Sequence, residues 1–374
     1  VERRSFALIS MDRKPLEFRM QKYFDKETTD GEVKDIFPAL MMTGNRIVGP
    51  EARKKLLDES SYDATSIVLY PFKPFDVRWC YLANIRPLFS EPSPRLLDHA
   101  TIPGNCFLIT RDTADKAPEG PPFYFSPHVC DYDAISGHAR HFPLWIRHGC
   151  ATPRDLRNGQ SFFEDADAYC VTRANLSDAS RDYLRGFGMP EPDMDRDAAA
   201  LLWLHTLAIG FSPAYLTENA DGIRQDWPRI PLPASKVTLE TSAALGRRIA
   251  ALLDTGTPVA GVTSGRIDAR IKAIAIVSRS GGGALDPAQG HLDLTAGWGH
   301  AGRGGVCMPG RGKAEPRNQT DVPLRETFGP DTFDVYLNEM AFWANVPRAV
   351  WEYHLGGYQV LKKWLSYRER SVCG

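Results

Sequence analysis

Residues His291–Lys313, HLDLTAGWGHAGRGGVCMPGRGK, hold seven glycines, two arginines and a lysine around Trp298, His300 and Met308. No other stretch of the chain limits the fold so tightly. Without Cβ atoms the backbone there can turn with positive φ and approach a partner closely. Arginine and lysine add charge and forked donors suited to phosphates or guanine edges. A short hairpin-like segment that lays its backbone against a polyanion has this composition. An irregular surface loop has it too, because glycine is common in turns. Trp298 and His300 are expected to brace the segment from the core rather than to stack on a base.

The chain's 374 residues are enough for two or three domains and a sizeable core. Apolar residues make up 43% and charged residues 24%, the balance of a soluble globular protein. A formal charge of −1 excludes a global basic field, so any nucleic-acid site must be a local patch. No run of about eighteen apolar residues exists, and no membrane span is expected. The opening VERRSFALIS is too short in its apolar run to be a signal peptide, and a first residue of Val1 suggests a piece of something longer. Cys80, Cys106, Cys130, Cys150, Cys170, Cys307 and Cys373 are odd in number and form no CxxC pair. That usage predicts thiols in a reducing, cytoplasmic compartment.

Local patterns predict a β-rich first half. After a turn-rich joint at Met42–Pro50, Glu51–Leu57 has the charge of a short exposed helix. Ser66–Tyr70 is a compact β-type run ended by prolines, and Arg78–Ile85 resumes as a strand. Asn105–Thr110, Phe123–Phe125 and Phe142–Ile146 are further short strands. Asp155–Asp197 then turns acidic, ten Asp and Glu against five Lys and Arg, a face that should repel DNA. Ala198–Leu207 reads as a helix, continued at Pro213–Glu218. Trp227–Pro233 is an extended connector fixed by its prolines. Leu239–Leu253 has helical spacing, and Arg270–Ser278 alternates with period two like a strand. Thr332–Arg370 closes the chain as aromatic-rich helical segments divided at Pro347 and at Gly356-Gly357.

Several chemistries are absent. A methyltransferase tetrapeptide needs a polar side chain to accept from the flipped base's amino group, then Pro-Pro and a stacking aromatic. Gly120-Pro-Pro-Phe123 lacks that acceptor, and prolines before a strand are common punctuation. Glu32-Val-Lys34 supplies only half of a metal-dependent nuclease core, and a solvated helix face is the default for it. No GxxxxGK[ST], no early glycine-rich loop between strand and helix and no Gly-x-Ser-x-Gly occurs. His128, Cys130, His138, His141, His148 and Cys150 are six potential ligands, but their spacing fits no zinc finger or ribbon. Ordinary core or surface residues are the default for them.

Longer motifs point to one family. The glycine-rich stretch, Asp334-Val-Tyr-Leu-Asn-Glu-Met-Ala-Phe-Trp343, Asn345-Val-Pro347 and the run from Val350 to Glu369 together resemble the C-terminal specificity region of Type ISP restriction–modification enzymes and related large adenine-specific DNA methyltransferases. Tyr70-Pro-Phe-Lys-Pro-Phe-Asp-Val-Arg78 resembles that family's Tyr-Arg-Pro-Phe-Asp-x-Arg motif, departing from it at Phe72-Lys73. Asp226-Trp-Pro-Arg-Ile-Pro231 looks like its Phe-Pro-Arg-Ile-Pro connector. The resemblance implies a target-recognition module of mixed α+β fold, a β-rich part followed by a helical part. Residues 1–50 would be the end of, or joint to, an upstream methyltransferase domain. Residues 51–235 would be the β-rich DNA-recognition part, and 236–374 the helix, basic loop and C-terminal helical part. It also implies double-stranded DNA as a partner, adenine-N6 methylation by the parent polypeptide, and S-adenosylmethionine as the parent's cofactor rather than this chain's.

A module of that kind reads base edges and grips phosphates, tasks suited to Arg, Asn and Lys in turns. In the first half the candidates are Arg78, Asn84, Arg86, Arg95, Asn105 and Arg111. An internal ion pair with Asp76 competes for Arg78, and a turn beside Gly104 competes for Asn105. Across Val262–Arg317, eight Lys and Arg face four Asp and Glu, so positive charge is concentrated there. Arg303, Arg311 and Lys313 are the leading contacts, joined by Arg266 and Arg317. Lys362 and Lys363 are phosphate candidates or solubilising charge. The alternative to DNA recognition is a coupling domain that links methyltransferase to motor and touches DNA little, which near-neutral charge favours. A hydrolase would rest only on the Cys/His cluster.

Overall fold

The computed structural model describes residues 2–3, 6–43, 48–86, 88–91, 93–148, 171–302 and 307–370. Arg303, Cys150 and most of the first half of the acidic stretch lie outside them. The chain is mixed α+β and divides into two units, Val1–Thr113 with Phe123–Asp254, and Ala114–Pro122 with Thr255–Gly374.

In the first unit, prolines and aromatics around a tight turn dictate an antiparallel hairpin. Strand β1 (Ile9–Ser10) and strand β2 (Ile67–Lys73) flank β3 (Asp76–Tyr81) in a three-stranded sheet. The β2–β3 turn requires a left-handed residue, and Phe75 takes it at φ 59°. Helix α1 (Arg13–Phe24) buries Leu16, Met20, Tyr23 and Phe24. Its Arg19 is also buried, donating to the carbonyl of Ala7 at 2.7 Å and lying 3.9 Å over the Phe37 ring. The predicted exposed helix is α2 (Gly49–Glu59). Glu32 and Lys34 stand exposed on the short helix Asp30–Ile36, as a solvated face should.

A second sheet centres on β4 (Phe107–Thr110), with β5 (Tyr124–Ser126) on one side and β6 (Arg140–Pro143) on the other. The single strand expected at Phe142–Ile146 is two. Leu144 breaks it by donating its amide to the Cys106 carbonyl at 2.8 Å, and β7 (Trp145–His148) pairs instead with β8 (Val171–Ala174). Helices follow: α3 (Asp178–Gly186), α4 (Arg196–Gly210), α5 (Pro213–Glu218) and α6 (Lys236–Leu253). Apolar spacing put α4 and α6 where they are found. They pack antiparallel, and Gly246 is obligatory because a Cβ there would collide with the Leu204 carbonyl.

In the second unit the expected strand at Arg270–Ser278 is a helical turn followed by a strand. Asp268 caps α7 (Ala269–Lys272) through the Arg270 amide, and Ala275 at φ 53° re-aims the chain into β9 (Ile276–Arg279). Strands β10 (Gly299–Ala301), β11 (Cys307–Pro309) and β12 (Ala314–Asn318) come next, then helix α8 (Val322–Phe328). The aromatic C-terminal stretch, expected to be helical, forms β13 (Asp331–Tyr336) and β14 (Ala341–Pro347) before the short helix α9 (Val360–Ser366). Alternation places Val335 and Ala341 in one core while Tyr336 and Phe342 stack at 5.2 Å on the other face, and the left-handed Asn345 (φ 59°) breaks the period so that Val346 also reaches the core. The sheet runs β9-β14-β13-β12, antiparallel throughout, with β12 at an edge. Trp298, Val335, Leu337, Ala341, Val346 and Leu365 form its core.

Candidate nucleic-acid interface

The glycine-rich stretch is a two-stranded ribbon. β10 and β11 pair with Gly299 opposite Pro309, His300 opposite Met308 and Ala301 opposite Cys307. Arg303 belongs to the connection between them and lies outside the described residues.

Glycines at the base of the ribbon are there for close packing. Trp298 is buried and donates from Nε1 to the Tyr336 carbonyl at 2.7 Å. Gly312, at φ +61°, lies on its indole where any Cβ would collide with the ring. Gly310 donates its amide to the Trp298 carbonyl at 2.5 Å, and the Glu369 carboxylate accepts the Trp298 amide hydrogen at 2.8 Å. Trp298 therefore braces the ribbon from the core, as expected. His300 does not: it is exposed on β10 beside exposed Met308.

From this fixed base the chain presents Arg311, Lys313 and Arg317 in succession into edge strand β12. Arg311 is exposed and makes no ion pair among the described residues. Lys313 lies 3.8 Å over the Tyr336 ring and 3.2 Å from Glu315. Arg317 reaches Asp334 at 3.2 Å. The Tyr336 hydroxyl donates to Glu315 at 2.9 Å, which with Lys313 holds that carboxyl below its ordinary range and raises the phenol. Residues 313, 315 and 317 share one face of the edge strand. Both cations there thus carry carboxylate partners: exposed Glu315, in a pair worth at most about 1 kcal/mol, and half-buried Asp334.

The other second-unit candidates are separate from this row in sequence. Arg266 is exposed ahead of α7. Lys362 and Lys363 are half-buried on α9, with Lys363 lying 4.9 Å from the Tyr358 ring and 4.8 Å from that of Tyr367.

In the first unit three candidates are structural. Arg78 is buried and bidentate to Asp76, at 2.9 Å from Nη2 and 3.2 Å from Nε, over the Phe72 ring. Asn105 is buried with its amide donating to the carbonyls of His99 and Trp145 and its oxygen accepting from the amides of Cys106 and Trp145. Arg111 is only 2% exposed. A duplex docked on the surface cannot touch these side chains, so they leave the candidate set. Asn84, Arg86 and Arg95 are exposed and stay in it.

The Cys/His cluster is also built into the fold. His141 Nε2 accepts the Cys130 amide hydrogen at 2.9 Å, and His138 stacks on Tyr132 at 4.3 Å. Among the described residues no group of His, Cys, Asp and Glu is placed to hold a metal ion.

A family model described as the Type ISP C-terminal specificity domain matches residues 3–372. No curated protein matches the chain. Among solved structures, a cryo-EM structure of a DrdV–DNA complex aligns with 98% of this chain and 30% of its own, at TM-score 0.56 and 17% identity. The ATP-dependent Type ISP restriction-modification enzyme LlaBIII bound to DNA aligns with 94% of this chain and 18% of its own, at TM-score 0.51 and 12% identity. At those identities the likeness is one of fold. The chain spans less than a third of the length of either.

Proposed function

The chain belongs to the family of Type ISP C-terminal specificity domains of restriction–modification enzymes, and on that footing we propose that it is the sequence-specific DNA-recognition module of an adenine-N6 DNA methyltransferase or single-polypeptide restriction–modification enzyme. Its partners in this reading are double-stranded DNA and the methyltransferase domain upstream in the same polypeptide. S-adenosylmethionine serves that domain rather than this one. A cytoplasmic setting suits Cys80, Cys106, Cys130 and Cys307, none of which is in a disulfide. No helix among the described residues is long and apolar enough to cross a membrane.

One observation supports the reading above the rest: a glycine ribbon clamped at its base and continued by Arg311, Lys313 and Arg317 at an exposed sheet edge. Exposed ion pairs exchange cheaply, so Lys313 can leave Glu315 for a phosphate oxygen with little loss, and the exposed Arg317 guanidinium can share its donors between half-buried Asp334 and a phosphate. Each phosphate so neutralised releases counterions and makes affinity fall with salt.

Binding of a duplex at two salt concentrations tests this. The wild-type chain should show a steep salt dependence, and R311Q/K313Q/R317Q should lower the slope of log K against log salt by about 2 to 3. A chain that binds duplex weakly, with no such slope, would instead be a coupling module.

A further inference from the structure

The sheet β9-β14-β13-β12 of the second unit turns one face to the core of Trp298, Val335 and Ala341. Its other face carries a row of side chains fixed by register: Lys313, Tyr336, Phe342 and Ser278. The Tyr336 amide donates to the Lys313 carbonyl at 2.9 Å, Tyr336 lies opposite Phe342, and Phe342 lies opposite Ser278. Side chains in register share a face and touch. Lys313 Nζ accordingly sits 3.8 Å over the Tyr336 ring, and the Tyr336 and Phe342 rings stack at 5.2 Å with 29° between their planes. All four residues belong to the same unit.

The stack stops at Phe342. Beyond it stands Ser278, a short side chain whose hydroxyl donates to the Ile276 carbonyl of its own strand at 3.1 Å. Ile276, on the same face of β9 and 45% exposed, bounds this space on one side. On the other, the turn Gly281-Gly282-Gly283 has no side chains to close it. An aromatic pair across two strands stabilises a sheet wherever it occurs. This pair also has an open end, where a flat group laid over Ser278 would continue the stack from the Phe342 ring. Lys313 and Arg317 stand along the far edge of the same sheet. Three strand spacings put them about 14 Å from Ser278, a distance of about four base steps along one DNA strand.

We infer that the space over Ser278, beside the Phe342 ring, takes an unpaired base of DNA: the thymine left behind when the target adenine is extruded. This deepens the proposed function and rests on it. Methylation of a base within a duplex requires its extrusion, which leaves the opposite base without its partner. An aromatic ring offers that base a new stacking surface, and base–aromatic stacking tolerates any sequence because every base has a π face. Tyr336 and Phe342 lie in the Asp334–Trp343 motif by which the chain resembles its family, so the task that suits them is one independent of the DNA word. Charge agrees with a nucleotide. The charged member of the row is a cation, Lys313, and the carboxylates of Glu315 and Asp334 on this face are matched by Lys313 and Arg317.

The test uses the full 374-residue chain and two duplexes that differ at one position, a thymine facing adenine or the same thymine facing an abasic site. Wild type should bind the second more tightly by roughly fivefold or more, the scale of one base–aromatic stack. With 5-iodouracil in place of that thymine, irradiation should cross-link the unpaired base to Phe342 or Tyr336. F342L keeps an apolar residue on the strand, and S278W fills the space while leaving the aromatic pair intact. Both variants should bind the two duplexes equally, with melting temperature, salt slope and affinity for the paired duplex near wild type. Equal binding by wild type, a cross-link elsewhere in the chain, or a preference that survives both substitutions overturns the inference and leaves DNA recognition standing. A wild-type chain that binds neither duplex overturns both.

Discussion

Glu369 closes the base of the glycine ribbon from 71 residues further along the chain, its carboxylate accepting the amide hydrogen of Trp298 at 2.8 Å and that of Gly297 at 3.2 Å. Glu369 is itself 2% exposed, so its loss strands backbone donors in the interior. E369A should destabilise the chain by about 2 to 3 kcal/mol, and E369Q, which keeps an acceptor, by less. Urea denaturation gives both values; equal effects would show that the carboxylate geometry is immaterial.

Gly312 answers to two constraints at once, a left-handed φ of +61° and direct contact with the Trp298 ring. Relieving only one of them would not rescue a substitution. G312A is expected to cost about 3 kcal/mol or more, from backbone strain plus overpacking. G188A, at a similar φ of +65° with open space around it, should cost only the backbone share. Thermal melts of the two variants separate the contributions.

Arg78 and Asp76 form a buried pair, and breaking such a pair by removing one partner typically costs about 3 to 5 kcal/mol. R78M should therefore lower stability by that order while duplex affinity, measured where the protein remains folded, stays near wild type. Lost affinity with full stability would return Arg78 to the DNA-contacting set.

The same residue shows where sequence stops being informative. Tyr70–Arg78 is legible as a hairpin, since prolines and aromatics leave few other conformations, and α4 and α6 follow from helical spacing of their apolar residues. An arginine's exposure is set by distant residues that cover it, so Arg78, Arg111 and Arg317 look alike in sequence and differ in the fold. Thr332–Pro347 was misleading because aromatics on both faces of a strand blur the period-two signal into a helical one. Trp227–Pro233 reads as a connector, and nothing local shows that its carbonyls at Arg229, Pro231 and Pro233 accept from Tyr215, His205 and Tyr183, 14 to 50 positions away.

His141 links stability to pH. Burial pushes its imidazole down to about 3, against about 6.5 when unfolded. The unfolded chain therefore takes up the proton first. The stability this residue contributes is complete above about pH 6.5 and falls as pH drops from there toward 3, by about 1.4 kcal/mol per pH unit. H141Q keeps a hydrogen-bond acceptor for the Cys130 amide but cannot titrate. From pH 6.5 to pH 5 wild type should lose about 2 kcal/mol more than the variant; parallel urea-derived stability curves would refute this.

The chain visits its second unit twice, first as Ala114–Pro122 and again from Thr255 onward. The early visit supplies the carbonyls of Glu119 and Pro121 to the amides of Gly357 and Gly356, at 2.8 and 3.0 Å. A graft meant to transplant the ribbon into another enzyme therefore cannot begin at a single junction. It has to bring both pieces from the same donor, or the recipient inherits a unit whose Gly356-Gly357 turn has lost its moorings.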